Sequence, residues 1–381
     1  MSSSPHRILT THVGSLPRPD DLLALLHAKY GGERYDAAAL EASVARSVAE
    51  VVKRQVELGI DIVSDGEMGK PSYATYVSER LSGFAESPGR GKALRDLVDY
   101  PRYARRLVKI GQVAPGAKGA DCVGPVAPAD SAPLRFDLAT LAAALKPVSA
   151  VGAFMTSASP GVITSFQENR YYPSHDAYLE ALAEAMRPEY EAVVAAGFTL
   201  QLDSPDLAMN RHLVHPDDPA AFFRECEMHV EALNHATRNI PPERMRMHLC
   251  WGNYPGPHHW DVPLEQVLPI ALKARPHAFL IEAANPRHEH EWEVFRTIPL
   301  PDDRIVVPGV LDTTTNTIEH PKLVAQRLCN FASVVGRERV MAGTDCGFAT
   351  FAEYPLVDPD IAWAKLRAMV EGAAIASERL W

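Results

Sequence analysis

His248 and Cys250 stand two residues apart in an apolar run, and both side-chain types bind transition metals. If residues 245–252 form a strand, alternation turns both side chains to one face. Glu282 and Cys346 close two further apolar runs, at 278–284 and 340–347. One imidazole, two thiols and one carboxylate suit tetrahedral zinc (Zn2+), whereas thiolates disfavour magnesium and calcium, which prefer oxygen. Taken singly, each residue also has an ordinary reading. Free cysteines pack as small hydrophobes, a core histidine bonds to backbone, and a buried glutamate pairs with a base. Their joint occurrence at the ends of apolar runs is what points to a site. Cys122, Cys226 and Cys329 lack such partners and read as structural, while His258 and His259, in a Pro/Gly loop, read as surface or pocket wall.

The elements that must position these groups follow from periodicity. Short, nearly continuous apolar runs at 8–16, 61–68, 151–157, 198–204, 245–252, 278–284, 305–312 and 340–347 read as buried parallel strands. Helical patterns lie between them at 37–58, 175–196, 219–237, 264–273, 321–335 and 360–377. Pro219, Pro263 and Pro321 sit near helix starts, and Gly59 and Gly197 follow last turns. Eight strands alternating with helices count out an α/β fold of the (β/α)8 TIM-barrel type, with an open doubly wound sheet as the alternative. The whole chain, 1–381, reads as one barrel domain. Residues 83–146 form a long excursion between strands two and three, rich in Gly, Pro and Ala, with short strands expected at 106–113 and 120–126. Its basic residues (Arg90, Lys92, Arg95, Arg102, Arg105, Arg106, Lys109) suit a solvated face, a subunit contact or attraction of an anionic substrate.

A barrel carries its chemistry at the C-terminal ends of its strands. Those ends here hold Ser15, Asp65 with Glu67, Asp203, His248 with Cys250, Glu282, Asp312, and Asp345 with Cys346. Core packing alone would not gather polar residues there.

Composition narrows the setting. Of 381 residues, 46% are apolar and 23% charged, which excludes disorder for most of the chain. With 48 acidic against 38 basic residues the net charge is −10, so nucleic acid would be repelled. No run approaches the ~20 apolar residues a membrane span needs. The first seven residues lack an apolar core behind their charge, so no secretory signal is expected and the protein reads as cytoplasmic. Five cysteines in such a length make no disulfide framework. Homo-oligomer formation is left open.

The spaced motifs carry a family likeness. His248-Leu249-Cys250, Ile281-Glu282, Val307-Pro308-Gly309-Val310-Leu311-Asp312 and Asp345-Cys346-Gly347, preceded by Val13-Gly14-Ser15, Asp65-Gly66-Glu67 and Gln201-Leu202-Asp203, occur in the order found in the cobalamin-independent methionine synthases. The chain resembles the catalytic barrel of that family from about residue 8 to 375, the excursion excepted. The resemblance implies that His248, Cys250, Glu282 and Cys346 ligate zinc, and that Ser15, Glu67 and Asp203 hold the carboxylate and amine of homocysteine. In one respect the chain departs from the pattern. Methionine synthases have a histidine two residues after the aspartate at 312, thought to help protonate the departing folate nitrogen, and here the residue is Thr314. The methyl donor is therefore not fixed as folate. Shorter relatives in the superfamily include epoxyalkane:coenzyme M transferases, which open an epoxide with a zinc-held thiol.

The chemistry explains the residue types. A free thiol, with pKa about 8.5, is only about 3% ionised at pH 7. Holding the acceptor sulfur as a zinc thiolate removes a ~30-fold handicap, roughly 2 kcal/mol. Two cysteine thiolates keep the metal from withdrawing too much charge, and Glu282, as the weakest ligand, is expected to yield to the incoming sulfur. The reading is a zinc-dependent transferase moving a methyl or small alkyl group onto a small-molecule thiol, with homocysteine favoured because Glu67 and Asp203 suit an ammonium. Thiol addition to an epoxide is the alternative; there Arg18 and Lys70 would meet a sulfonate. Asp312, Thr314, Tyr73 and the 251–254 loop are the groups expected to face the alkyl donor, with Trp251 and Tyr254 either stacking on it or packing the rim.

Overall fold

A computed structural model describes residues 6–87, 94–111, 119–352 and 356–381. Its strands are β1 (Ile62–Val63), β2 (Phe84–Ser87), β3 (Gly119–Cys122), β4 (Gly152–Ala158), β5 (Thr199–Asp203), β6 (Met245–Leu249), β7 (Ala278–Ile281) and β8 (Ile305–Pro308). Six form a curled parallel sheet in the order β1-β4-β5-β6-β7-β8, and β2 and β3 form a separate antiparallel pair. Among the described residues, no helix is long and apolar enough to cross a membrane.

Backbone hydrogen bonds continue from both edges of this sheet. Ile62 donates to Thr10 (3.1 Å), Thr11 to Ala342 (2.9 Å) and Ala342 to Leu9 (2.8 Å), while Met341 donates to Val306 (3.1 Å). The segments around 8–13 and 340–343 thus run between β1 and β8, although they pair through isolated bridges at Thr10–Ala342 and Val306–Val340.

The alternation of side chains decides what faces inward. Leu9, Val13, Ile62, Phe154, Ala278, Leu280, Ile305, Val307 and Met341 form one buried cluster inside the curl. Phe279, Ile281 and Val306 point outward to the larger core beneath the helices. By the same period of two, Arg246, His248 and Cys250 share the inner face of β6 and its extension, Gln201 and Asp203 that of β5, and Glu282 follows Ala278 and Leu280 on β7. The polar groups therefore stack above an apolar plug.

The helix Ala37–Leu58 illustrates the outer layer. Asp36 caps its start, accepting from the Ala38 and Ala39 amides (2.9 and 3.1 Å), and Gly59 ends it at φ 95°. Leu40, Val44, Val48, Val51 and Val52 form its buried stripe.

Several expectations require correction. The strand expected at 61–68 shortens to Ile62–Val63 because the chain turns sharply through Asp65-Gly66-Glu67, with Gly66 and Glu67 at positive φ (66° and 57°). In place of a strand at 106–113 there is a helix, Pro101–Lys109; Gln112 and Val113 lie outside the described residues. Proline opens it, Leu107 is buried, and Arg102, Arg105, Arg106 and Lys109 face solvent, a helical rather than alternating pattern. Of the strand expected at 120–126, the structure has β3 at Gly119–Cys122. Arg90 and Lys92 lie outside the described residues. Helix Ala132–Leu145 packs on Ala37–Leu58, and the helices Asp20–Tyr30, Pro160–Phe166 and Asp206–Leu213 add to those read from the sequence.

Candidate active site

A small cavity of about 30 Å3 opens above the plug, lined by Val13, Ser15, Glu67, Tyr73, Asp203, Pro205, His248, Cys250, Asn253, Cys346, Gly347 and Thr350. Five of the strand ends expected to carry chemistry line it, through Ser15, Glu67, Asp203, His248 with Cys250, and Cys346, and Glu282 stands next to Cys346. The ligand atoms of His248, Cys250 and Cys346 all lie within 4.8 Å of one another, and all three residues are buried. Cys346 Sγ is 3.9 Å from His248 Nε2 and 3.7 Å from Glu282 Oε1. Around a tetrahedral zinc, with bonds of about 2.0–2.3 Å, ligand atoms stand roughly 3.3–3.8 Å apart, so the residues present fit such an ion with small adjustments.

Charge is arranged to suit that role. The Cys346 thiol donates toward Cys250, which brings Cys250 down to about 7 against the opposing effect of burial, with the His248 ring also helping. Burial, together with that same donation to Cys250, pushes Cys346 well up. For His248, burial works against protonation, but Cys250 and Asp203 outweigh it and hold the ring at about 9. Nε2 of His248 donates to the Asp345 carbonyl (3.0 Å), and Nδ1 lies 3.7 Å from Asp203 Oδ1. Binding a metal through Nε2 would require it to give up the Asp345 carbonyl, with the nearby Asp203 carboxylate left to orient Nδ1. Glu282, raised to about 7 chiefly by burial, accepts from the Trp251 amide (2.9 Å) and from Asn285 Nδ2 (2.7 Å). Asp345 braces the ring of segments by accepting from the amides of Ala283, Ala284 and Asn285 (2.8–2.9 Å).

The opposite wall holds the acids. Glu67 sits at φ 57°, in the left-handed region, with its amide donating to Asp65 Oδ1 (3.0 Å). Its Oε1 accepts from Thr156 Oγ1 (3.0 Å), while its buried Oε2 has no hydrogen-bond partner among the described residues. Burial raises this carboxyl to about 7, Lys70 opposing and Asp203 adding. A Cβ at position 14 would lie 2.4 Å from Glu67 Oε1, so Gly14 is what lets the carboxylate approach that segment. Gln201 Nε2 donates to Asp203 Oδ1 (2.7 Å). Ser15 Oγ lies on the wall beside Gly347 and accepts from the Ala349 amide (3.4 Å).

Other expected residues stand elsewhere. Trp251 is fully buried, stacked on His288 at 3.8 Å, with its indole N–H on the Val262 carbonyl (2.7 Å). Tyr254 donates its hydroxyl to Asp96 (2.5 Å) and packs with Leu97 and Leu107 of the excursion. Both are packed on protein rather than placed on the cavity wall. Thr314 donates through its amide and hydroxyl to Asp312 Oδ1 (2.8 and 2.7 Å), so these two side chains engage each other. Arg18 donates to the carbonyls of Ala349, Glu67 and Lys70, and Lys70 to Thr156. Cys122 and Cys226 are buried and Cys329 partly so. His258 bonds Asp261 (2.8 Å) and His259 bonds Asp99 (3.1 Å).

The sequence places Asn253 in the 251–254 loop expected to face the donor but does not show its bracing role, and Arg246 was missed. Asn253 donates to the Gly347 carbonyl (2.8 Å) and Thr350 (2.6 Å) and accepts from Thr313 (3.0 Å), joining three loops over the cavity. Arg246 is fully buried below His248, donating to Thr11 Oγ1 (2.9 Å) and the His12 carbonyl (2.7 Å) and lying 3.4 Å from the Phe154 ring centroid. Its position two residues before His248 was a usable signal, because the period of two puts it inside the curl.

A curled parallel sheet thus gathers His, Cys and carboxylate side chains at its C-terminal strand ends, an arrangement shared with a class of methyl-transferring synthases. The chain belongs to the family described as cobalamin-independent synthase, catalytic domain, which matches residues 8–91 and 131–375. It is 26% identical to a methionine synthase of Thermococcus kodakarensis, over 97% of this chain and 94% of that protein. It is also 24% identical to a methionine synthase of Sulfolobus acidocaldarius, over 97% and 93%. A 2-hydroxypropyl-CoM lyase of Xanthobacter autotrophicus is 23% identical, over 98% and 96%. Among solved structures, a B12-independent methionine synthase from Shewanella sp. W3-18-1 in complex with selenomethionine shares the fold, at a TM-score of 0.74 and 21% identity over 98% of this chain and 99% of that one.

Proposed function

We propose that this protein transfers a methyl or small alkyl group to a small-molecule thiol of the homocysteine type, in a single (β/α)8 barrel whose remaining two staves are the segments at 8–13 and 340–345. The excursion at 83–146 is part of that one domain. The observation that carries the reading is the convergence of His248, Cys250 and Cys346, with Glu282 beside them, on a cavity whose facing wall holds the unpartnered Oε2 of Glu67. His248, Cys250, Glu282 and Cys346 would hold zinc, which when bound keeps the acceptor sulfur deprotonated and nucleophilic at neutral pH.

The chain's own residues do the rest. Glu67 and Asp203 receive the ammonium of the acceptor, and Ser15 its carboxylate. The Trp251 amide and Asn285 hold the Glu282 carboxylate in position beside Cys346. A cavity of about 30 Å3 holds roughly one water. Substrate access therefore requires the loops joined by Asn253 to part, and their return excludes water from the reacting sulfur. Asp312, which accepts from Thr314, is the acid assigned to face the alkyl donor. Setting for the reaction is cytoplasmic, as befits a reduced cysteine pair.

The epoxide alternative has a relative behind it, the 2-hydroxypropyl-CoM lyase. A sulfonate thiol, however, would meet two carboxylates and, among the described residues lining the cavity, no Lys or Arg. This supports the amino-acid thiol.

The test is zinc content together with acceptor dependence. Wild type should carry zinc at this site and form methionine from homocysteine with a suitable methyl donor. Cys346→Ser should lose that metal and at least 100-fold in turnover while keeping the wild-type circular dichroism. Metal retained at this site in Cys346→Ser, or turnover with coenzyme M and an epoxide in place of homocysteine, would overturn the proposal.

A further inference from the structure

A second group of metal-ligating side chains lies in the helical layer, away from the cavity just described. Helix Pro219–Ala236 presents Glu225 and His229 four residues apart, hence on one face, and helix Pro160–Phe166 packs beside it. His175, the first residue of helix His175–Ala195, comes to the same point. The ligand atoms of His175, Glu225 and His229 lie within 4.8 Å of one another, and the two Nε2 atoms are only 3.2 Å apart. With zinc–nitrogen bonds of about 2.05 Å, two nitrogens on a tetrahedral ion stand about 3.3 Å apart, so the observed separation is already that of a shared ligand edge.

The surroundings are organised as metal sites are. Asp206 Oδ2 accepts from His229 Nδ1 (2.8 Å), which fixes the tautomer and leaves the Nε2 lone pair aimed at His175. Asp206 is itself held by Ser159 (3.0 Å). A Cβ on Gly161 would come within 2.2 Å of Asp206 Oδ2 and 2.5 Å of His229 Nδ1, so the backbone leaves room for this pair. Asn210 and His215 each bond one oxygen of Glu225 (2.8 Å both). His229 is buried, whereas His175 and Glu225 are half-buried and reachable from solvent.

We propose that His175, Glu225 and His229 form a second site, for a divalent first-row transition metal of the zinc type. Two imidazoles and a carboxylate, with no sulfur, suit that class and leave a position for water. The site would tie two helices together and, through His229, to Asp206, three residues beyond Asp203. This inference is independent of the reading of the cavity, because it uses none of its residues.

The experiment adds Co2+ to metal-stripped full-length protein and reads stoichiometry and absorption. In a Cys250→Ser/Cys346→Ser variant we expect one bound Co2+ with d–d bands and no sulfur-to-metal charge transfer. His175→Gln, made in that background, should weaken its binding at least 100-fold, and Glu225→Gln likewise. Where the cysteine variant fails to fold, His175→Gln in the wild-type background should lower total Co2+ by one equivalent without changing the charge-transfer band. Absence of a sulfur-free equivalent, or one unchanged by both His175→Gln and Glu225→Gln, overturns the proposal.

Discussion

Replacing Glu67 by Gln isolates the energetic effect of burying an acid on the cavity wall. Glu67 is 2% exposed, and burial raises its carboxyl from 4.5 to about 7. Because the folded pKa lies above the unfolded one, the native state binds the proton more tightly. Stability is therefore full below about pH 4.5 and falls as pH rises through about 7. The interval corresponds to about 3 kcal/mol lost across that window. For a chain of 381 residues the unfolding entropy is about 0.8 kcal/mol/K, so the loss equals about 4 °C in melting temperature. Glu67→Gln cannot ionise and keeps the Thr156 contact, so it should gain about 4 °C over wild type at pH 8 and nothing at pH 4.5. Calorimetric melting of both proteins from pH 4.5 to 8 reads the difference directly, which cancels the titration of other groups. A wild-type minus variant difference that stays flat across this range would refute the burial argument. The same variant should raise KM for homocysteine at pH 8, where the ionised acid would meet the ammonium.

Two other substitutions probe the architecture around the acids and the loops. Asn253→Ala removes three hydrogen bonds joining the loops over the cavity. At about 1 kcal/mol each, amide exchange in 250–254 and 347–352 should accelerate tenfold or more, and unchanged protection would show that the loops are held otherwise. Gly14→Ala places a Cβ 2.4 Å from Glu67 Oε1 and 2.8 Å from Thr156 Cγ2. It should cost about 1–3 kcal/mol by denaturant unfolding and raise KM for the thiol more than it lowers kcat.

The contrast between legible and illegible features has a physical origin. Helices 37–58 and 321–335 were readable to the residue because caps, N-terminal proline and an apolar stripe all agree locally. The 106–113 expectation failed because charge and Pro101 specify a helix whose one buried anchor, Leu107, gains its meaning only from Tyr254 across the cavity loop. Short strands such as Ile62–Val63 were overcalled because apolar runs do not reveal where a chain turns.

The sequence by itself determined the types of the candidate ligands, their order along the chain and the period of two that turns Arg246, His248, Cys250 and Glu282 inward, since these follow from covalent chemistry and strand geometry. Only the tertiary structure decided that Trp251 is consumed by packing on His288, that Arg18 and Lys70 are spent on carbonyls, and that Asn253 joins the loops. It alone brought His175 to Glu225 and His229. Such outcomes depend on which side chains compete for the same space and the same hydrogen-bond partners, and residues 50 apart in the chain compete only after it has folded.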